Sequence, residues 1–220
     1  MEKKALTIIW KRSGARGHCL RPKPRVTLPS LPGLVINNFS VVGERELDIE
    51  GFYRWAMGDL VDNRNRGIFA EWLVGQALGA ISDDDVRHEW DAYDLLYGKV
   101  KVEVKASGHS QTWPQDHPSK PRFDIAKTRR TWEAKTNKWV EHDPPVRFAD
   151  MYVFCLHEPK KATSENVRDP ESWKFWVISR KNLDDELGDQ KSVGAGTLDR
   201  LVEPVNWSEI KSEVDRLELV

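Results

Sequence analysis

The chain has 220 residues, enough for one large domain or a domain with a substantial arm. Hydrophobic residues make up 39% and charged residues 31%, which suits a globular protein with a polar surface. No apolar run approaches the ~20 residues of a membrane span and no secretory signal opens the chain, so a cytoplasmic protein is expected. The net charge is only −1, but it is segregated. Residues 1–36 carry eight Lys/Arg against one acid, residues 120–138 carry seven against Asp124 and Glu133, and 181–220 carry ten acids against five bases. Two basic segments flanking acidic ones suit a polyphosphate partner, because each neutralised phosphate releases counterions. A solvated charged face is the alternative for any single run.

In chain order, residues 1–48 read as a basic, partly extended arm with a short strand at Leu6–Trp10. Phe52, Trp55, Ala56 and Leu60 share a face of a helix over 49–60. A second helix is capped by Asn65, with Ile68, Phe69, Trp72, Leu73, Gln76 and Ala77 as its stripe, and ends at Gly79. A strand over Glu89–Leu96 turns at Tyr97-Gly98 into a second strand from Lys99 to about Ser107. Loop follows at 109–120, then a basic, aromatic hairpin over 122–141. Buried strands are expected at Arg147–His157 and Trp173–Ser179, with a short helix from Lys181 and a strand at Ser192–Ala195. A last helix is opened by a capping box of Asn206 and Glu209. Cys155 lies in the apolar strand, where a buried reduced thiol is expected.

The chemistry concentrates between Asp94 and Lys105. Asp/Glu-x-Lys alone is weak, since five other copies occur: Glu2–Lys4, Glu133–Lys135, Glu158–Lys160, Asp189–Lys191 and Glu209–Lys211. Only Glu103-Val-Lys105 lies in a run of strict alternation, with Lys99, Lys101, Glu103 and Lys105 on one face and Val100, Val102 and Val104 on the other. A turn at Tyr97-Gly98 pairs Asp94 with Lys101. Asp94 is then the diagonal neighbour of Glu103 on the same face, about 7–8 Å away. Two acids able to share a hard divalent cation, beside a lysine, suit phosphodiester cleavage. An ordinary Lys-Glu-Lys solvent face is the competing reading. The six histidines and two cysteines have no zinc-site spacing, and Gly194-Ala-Gly196 is no phosphate loop.

Together, the helix Arg66–Leu78 with Glu71, the Asp94 strand and Glu103-Val-Lys105-Ala-Ser107 resemble the PD-(D/E)XK phosphodiesterase superfamily. The runs Ser107–Trp113, Phe123–Arg130 and Ala149–Leu156 resemble a group of small stand-alone bacterial members. The likeness spans roughly 63–200. It implies an α/β fold with a restriction-endonuclease-like core: a mixed central sheet flanked by helices over 49–220, with an inserted hairpin and the basic arm. It also implies Mg²⁺ or Mn²⁺ held by Asp94, Glu103 and the Val104 carbonyl, with Glu71 as a further acid. Lys105 would orient or help deprotonate the attacking water. The implied activity is a DNA nuclease of restriction, defence or repair type. RNA cleavage, a non-catalytic nucleic-acid-binding protein on the same fold, and a homodimer stay open. Ser107, Gln111, Trp113, Lys127, Arg129 and Arg130 are candidate nucleic-acid contacts, with Gln111 suited to a base edge or phosphate and Trp113 to stacking. One departure is Tyr93, where the superfamily often has proline.

Overall fold

The computed structural model describes residues 47–87, 92–133 and 136–218. The chain divides into two units, Met1–Leu47 and Asp48–Val220. The arm expected over 1–48 and its strand lie almost wholly outside the described residues, as do Asp91 and the start of the strand expected from Glu89.

The described part is mixed α/β. Helix α1 spans Ile49–Met57, and Asp48 caps it by accepting from the Gly51 amide at 2.7 Å. Of its expected apolar face, Phe52 and Trp55 are exposed, whereas Leu60 lies beyond the end of the helix and is buried in the core. Helix α2 spans Asn63–Leu78 and ends at Gly79 in the left-handed conformation. The cap is Asp62 and not Asn65, since the Asp62 carboxylate accepts the Arg64 and Asn65 amides. Asn65 is instead buried in the first turn, donating to the Ala56 and Asp59 carbonyls. The buried stripe is Ala70, Leu73, Val74 and Leu78, so of the expected stripe only Leu73 is fully buried, and Trp72 is half exposed.

Strand β1 (Leu95–Tyr97) and β2 (Val100–Gly108) form a hairpin. Strand β3 (Arg122–Asp124) follows a loop, then β4 (Thr128–Glu133) and β5 (Lys138–Val146). Next come β6 (Met151–His157), the short helix α3 (Ser164–Arg168) and β7 (Trp173–Ser179). Helix α4 (Arg180–Leu187), β8 (Ser192–Gly194), α5 (Ala195–Leu201) and α6 (Ile210–Glu218) complete the order. The Asn206 amide donates to Glu209 Oε2 at 2.8 Å, the expected capping box.

The central sheet runs β1-β2-β6-β7, with β2 and β6 parallel and the outer pairs antiparallel. The two other pairs are ribbons, β3-β8 and β4-β5. The expected hairpin over 122–141 is therefore two things. Its first three residues pair with β8, while the true hairpin begins at Thr128 and reaches Val146.

Every residue of β6 is buried, and alternation sends its side chains into two cores. Met151, Val153 and Cys155 join Val100, Val102 and Val104 of β2 against α2 and α6. Tyr152, Phe154 and Leu156 join Phe123, Trp176 and Ile178 under α4, α5 and the β3-β8 ribbon. Phe123 stands edge-on to Phe154 at 5.2 Å, a contact worth about 0.5–1.5 kcal/mol beyond its burial. The second core faces β6 and β7 but not the outward side of β2, where the polar residues stand.

Arg147 precedes β6 and does not belong to it. Its side chain is fully buried and ties separate loops by donating to the carbonyls of Ile125 (2.8 Å), Gly188 (2.9 Å) and Gln190 (3.0 Å), with Asp184 as its ion-pair partner. A buried guanidinium is tolerable only when so fully satisfied.

His157 ends β6 with no exposure, and burial pushes its imidazole down to about 4. An unfolded histidine titrates near 6.5, so between these values the unfolded chain binds the proton first. Stability from this group is intact above about 6.5 and falls by about 3 kcal/mol as pH drops to about 4. Urea unfolding of wild type and His157→Leu across pH 4–7 tests this: the variant loses that acid slope, and an unchanged difference between the two at all pH values would refute it.

Candidate active site

The hairpin turn is Gly98-Lys99, because Tyr97 pairs Val100, Leu96 pairs Lys101 and Leu95 pairs Val102. Gly98 takes φ +60° while Lys99 does not have positive φ, the pattern of a turn with glycine first. The expected register was off by two residues. A two-residue slip keeps every side chain on its face, so Asp94 remains on the face of Glu103. It moves from the diagonal position to the one continuing directly across from Glu103.

Regular pairing stops at Leu95, and the Asp94 side chain takes over where the strand ends. The Asp94 amide donates to the Val102 carbonyl at 3.1 Å, and Asp94 Oδ2 accepts from the Val104 amide at 2.7 Å. One residue's N–H and C=O point to the same side of an extended strand. The edge that offers the Val104 amide to Asp94 therefore offers the Val104 carbonyl beside it. Burial, then the charge of Glu103, raises the Asp94 carboxyl to about 7; the Val104 amide opposes this, Glu71 adds to it, and Lys105 opposes it.

Glu103 Oε1 accepts from Lys105 Nζ at 2.5 Å, both side chains being less than a third exposed. Burial lowers the Lys105 ammonium, but Glu103 and then Asp94 and Asp124 outweigh it, and the net shift is upward. Lys105 is thus a cation here and a poor base. Beneath this pair lies Tyr152, opposite Glu103 in the parallel register. Burial and then the Glu103 charge push its phenol far up, so it stays protonated. Neither Asp124, counted only among the charges of the basic segment, nor Tyr152 was expected at the site. Tyr152 had one visible signal, a hydroxyl at the parity of Glu103 inside an apolar strand.

Glu71 projects from α2, and its charge acts on Asp94. Both its oxygens are engaged: Arg87 Nε donates to Oε2 at 2.5 Å and Nη2 to Oε1 at 2.9 Å. Arg87 was not anticipated.

The remaining candidates spread away from this centre. Ser107 continues the polar face beyond Lys105, opposite Leu156. The following loop is anchored by Ser110, whose hydroxyl donates to the Lys160 carbonyl at 2.7 Å and whose carbonyl accepts from buried Arg66 at 3.0 Å. A Cβ on Gly108 would come within 3.1 Å of that guanidinium. Gln111 is held inside the loop by Gln115 and Ser119, while Trp113 is 55% exposed. Lys127 pairs with Asp189 at 2.9 Å, Arg129 approaches Asp143 at 4.0 Å, and Arg130 covers Trp139. The return strand sets Glu141 across from Arg130 and Lys138 across from Glu133, so the ribbon is less basic than residues 120–138 alone suggest.

Asp94, Glu103 and the Val104 carbonyl are hard oxygen donors, the chemistry that Mg²⁺ or Mn²⁺ takes. The buried, partly protonated Asp94 beside a second carboxylate fits such an ion, because a divalent charge relieves the repulsion. Among the described residues, no three His, Cys, Asp or Glu side chains form a metal-holding group. The implied set has only two such side chains, and Glu71 is taken by Arg87. No family model matches the chain, and no curated protein matches it.

An unfolded aspartate titrates near 3.9, so between there and about 7 folded Asp94 holds a proton that the unfolded chain has lost. The group favours the fold at low pH and loses that contribution as pH rises through about 7. Asp94→Asn, which keeps the acceptor for Val104, is expected to be more stable than wild type at pH 8, with the advantage gone at pH 4. Thermal unfolding at both values reads this, and equal differences at the two would count against it. His157 acts in the opposite sense over an overlapping window, so each group is read from its own variant.

Proposed function

We propose that this chain is a divalent-metal-dependent nuclease on a restriction-endonuclease-like core, acting on DNA. The observation that carries the reading is Asp94 and Glu103 meeting on one sheet face where β1 ends, with Lys105 alongside. A purely structural strand has no use for a carboxyl raised by burial and by a neighbouring acid, and such shifts cluster at reactive sites. The mixed sheet β1-β2-β6-β7 with α2 against it suits the core that the sequence resemblance implies.

In this reading Asp94, Glu103 and the Val104 carbonyl hold Mg²⁺ or Mn²⁺, which supplies Lewis-acid activation of water and charge relief at phosphate. The protein's own groups do the rest. Asp94 is oriented by the Val104 amide, which donates to one of its two oxygens. Lys105, kept protonated by Glu103, steadies the extra negative charge of a five-coordinate phosphate and does not abstract a proton. Ser107 continues the polar face for a flanking nucleotide, and Trp113 in the loop that follows is exposed for stacking. Lys127, Arg129 and Arg130 lie on or beside the hairpin as phosphate contacts. DNA in place of RNA rests on the resemblance.

A non-catalytic binding protein is the second reading, favoured by the ion pairs that already engage Lys105 and Glu71. Supercoiled plasmid, linear duplex, single-stranded DNA and RNA, each with Mg²⁺ or Mn²⁺, separate the two. Cleavage of DNA is expected, reduced about 100-fold or more in Lys105→Ala, Asp94→Asn and Glu103→Gln. Binding without cleavage in wild type would select the second reading, and RNA as the preferred substrate would correct the first.

A further inference from the structure

Two lysines of β2 share the face of Glu103, and they are not equivalent. Lys105 is committed, its Nζ standing 2.5 Å from Glu103 Oε1. Lys101 lies on the other side of Glu103, half-buried and about 7 Å away along the strand, two residues at the rise of a β-strand. Among the described residues, no carboxylate pairs with its ammonium. Asp150, the acid beside it, is engaged elsewhere: Oδ2 accepts from the Lys101 backbone amide at 3.1 Å, and Oδ1 approaches the Arg180 guanidinium at 3.8 Å. The Lys101 ammonium stands instead over the Phe148 ring, 4.2 Å from its centroid. A ring face steadies the charge but leaves the three N–H donors of an ammonium open for an anion.

We propose that Lys101 is a phosphate-binding residue, taking the phosphate next to the one held at Asp94 and Glu103, with Phe148 as the positioning residue that aims it. The inference rests on the reading of Asp94, Glu103 and Lys105 as the cleavage site. A nucleic-acid strand laid along β2 fits this spacing, because the interval between its successive phosphates is close to the two-residue step from Glu103 to Lys101. The same contacts root the ribbon here. Phe148 meets the His142 ring of β5 at 5.8 Å, and His142 Nε2 lies 2.9 Å from Thr131 Oγ1 of β4. Lys101 therefore stands where the site's own strand and the ribbon bearing Arg129 and Arg130 come together. The two lysines divide the work: Lys105 serves the reacting phosphate, and Lys101 binds ground state and transition state alike.

Anisotropy of labelled duplex and single-stranded DNA over ~50–200 mM salt reads this, in EDTA and, with Mg²⁺ present, in the Lys105→Ala background. Lys101→Met keeps the stem over Phe148 and removes the charge. It is expected to weaken binding about tenfold, the scale of one hydrogen bond to a charged group. The log–log salt slope on duplex should shrink by about 0.9, one phosphate contact. Lys101→Arg should restore both, and Phe148→Leu should lose part of the affinity. In cleavage, Lys101→Met should raise KM about tenfold and keep most of kcat, the reverse of Lys105→Ala. A lysine that merely drapes its stem over a ring would lower melting temperature and leave the salt slope alone, which overturns the proposal. Loss of kcat at constant KM overturns it too, since Lys101 would then act on the reacting phosphate itself. No nucleic-acid binding under either condition would overturn the functional reading and this inference with it. Binding that responds to Lys101→Met in a wild type that cuts nothing would remove the nuclease reading and leave the phosphate contact standing.

Discussion

The hydrogen bond from the Val104 amide to Asp94 holds the candidate site together. Strand β1 is short, and where it stops an inner strand is left with an amide and a carbonyl lacking a ladder partner. Unpaired backbone polar groups near a core are costly, so something must meet them. Asp94 supplies a carboxylate for the amide, and in doing so becomes fixed beside Glu103. The early end of β1 thus makes both the vacancy and the group that answers it. The positions of Lys105 and Tyr152 follow from the same strand through the parallel register of β2 with β6.

Around that bond the protein tolerates an unfavourable arrangement of charge. Asp94 is raised because it is partly buried near two other acids, and Lys105 is drawn down against Glu103. Such concentrations lower stability and are retained where they serve a reaction. The compensation is spread out: Arg87 against Glu71, and Lys105 against Glu103 with the stacked Tyr152 and Phe154 in register with that pair. Arg147 plays a comparable part among the loops, where one guanidinium satisfies three carbonyls that would otherwise be stranded.

Features that repeat at short range were legible in the sequence. The valines of β2 alternate without a break, and the two faces they define are those observed. Asp94 kept its face although the turn was placed at Tyr97-Gly98, because the error was two residues and parity survives an even slip. Helix caps were less legible. Asp62 and Asn65 are equally good capping residues, and only the burial of Asn65 against Ala56 and Asp59 separates them. Partners brought together from far along the chain were not visible at all. Arg87 lies sixteen residues from Glu71, and nothing in its neighbourhood marks it as that acid's partner. The pairing of β3 with β8 was likewise hidden, since Arg122–Asp124 reads as a natural start to the hairpin that follows.

The hairpin and the parallel pairing also differ in when they can form. Asp94 and Glu103 meet across a turn of two residues, a closure that needs little loss of chain entropy and is completed within microseconds. Glu103 meets Tyr152 only after a closure of 49 residues, from 103 to 152, that must carry the whole ribbon with it. Non-local parallel pairing of this kind is slow. During folding the acids are therefore gathered before the aromatic floor that shelters them exists. While the site still faces water, their mutual repulsion is screened and costs little. The charge is assembled where it is cheap and buried afterwards, so the electrostatic penalty falls late on the folding path and slows closure of the sheet more than formation of the hairpin.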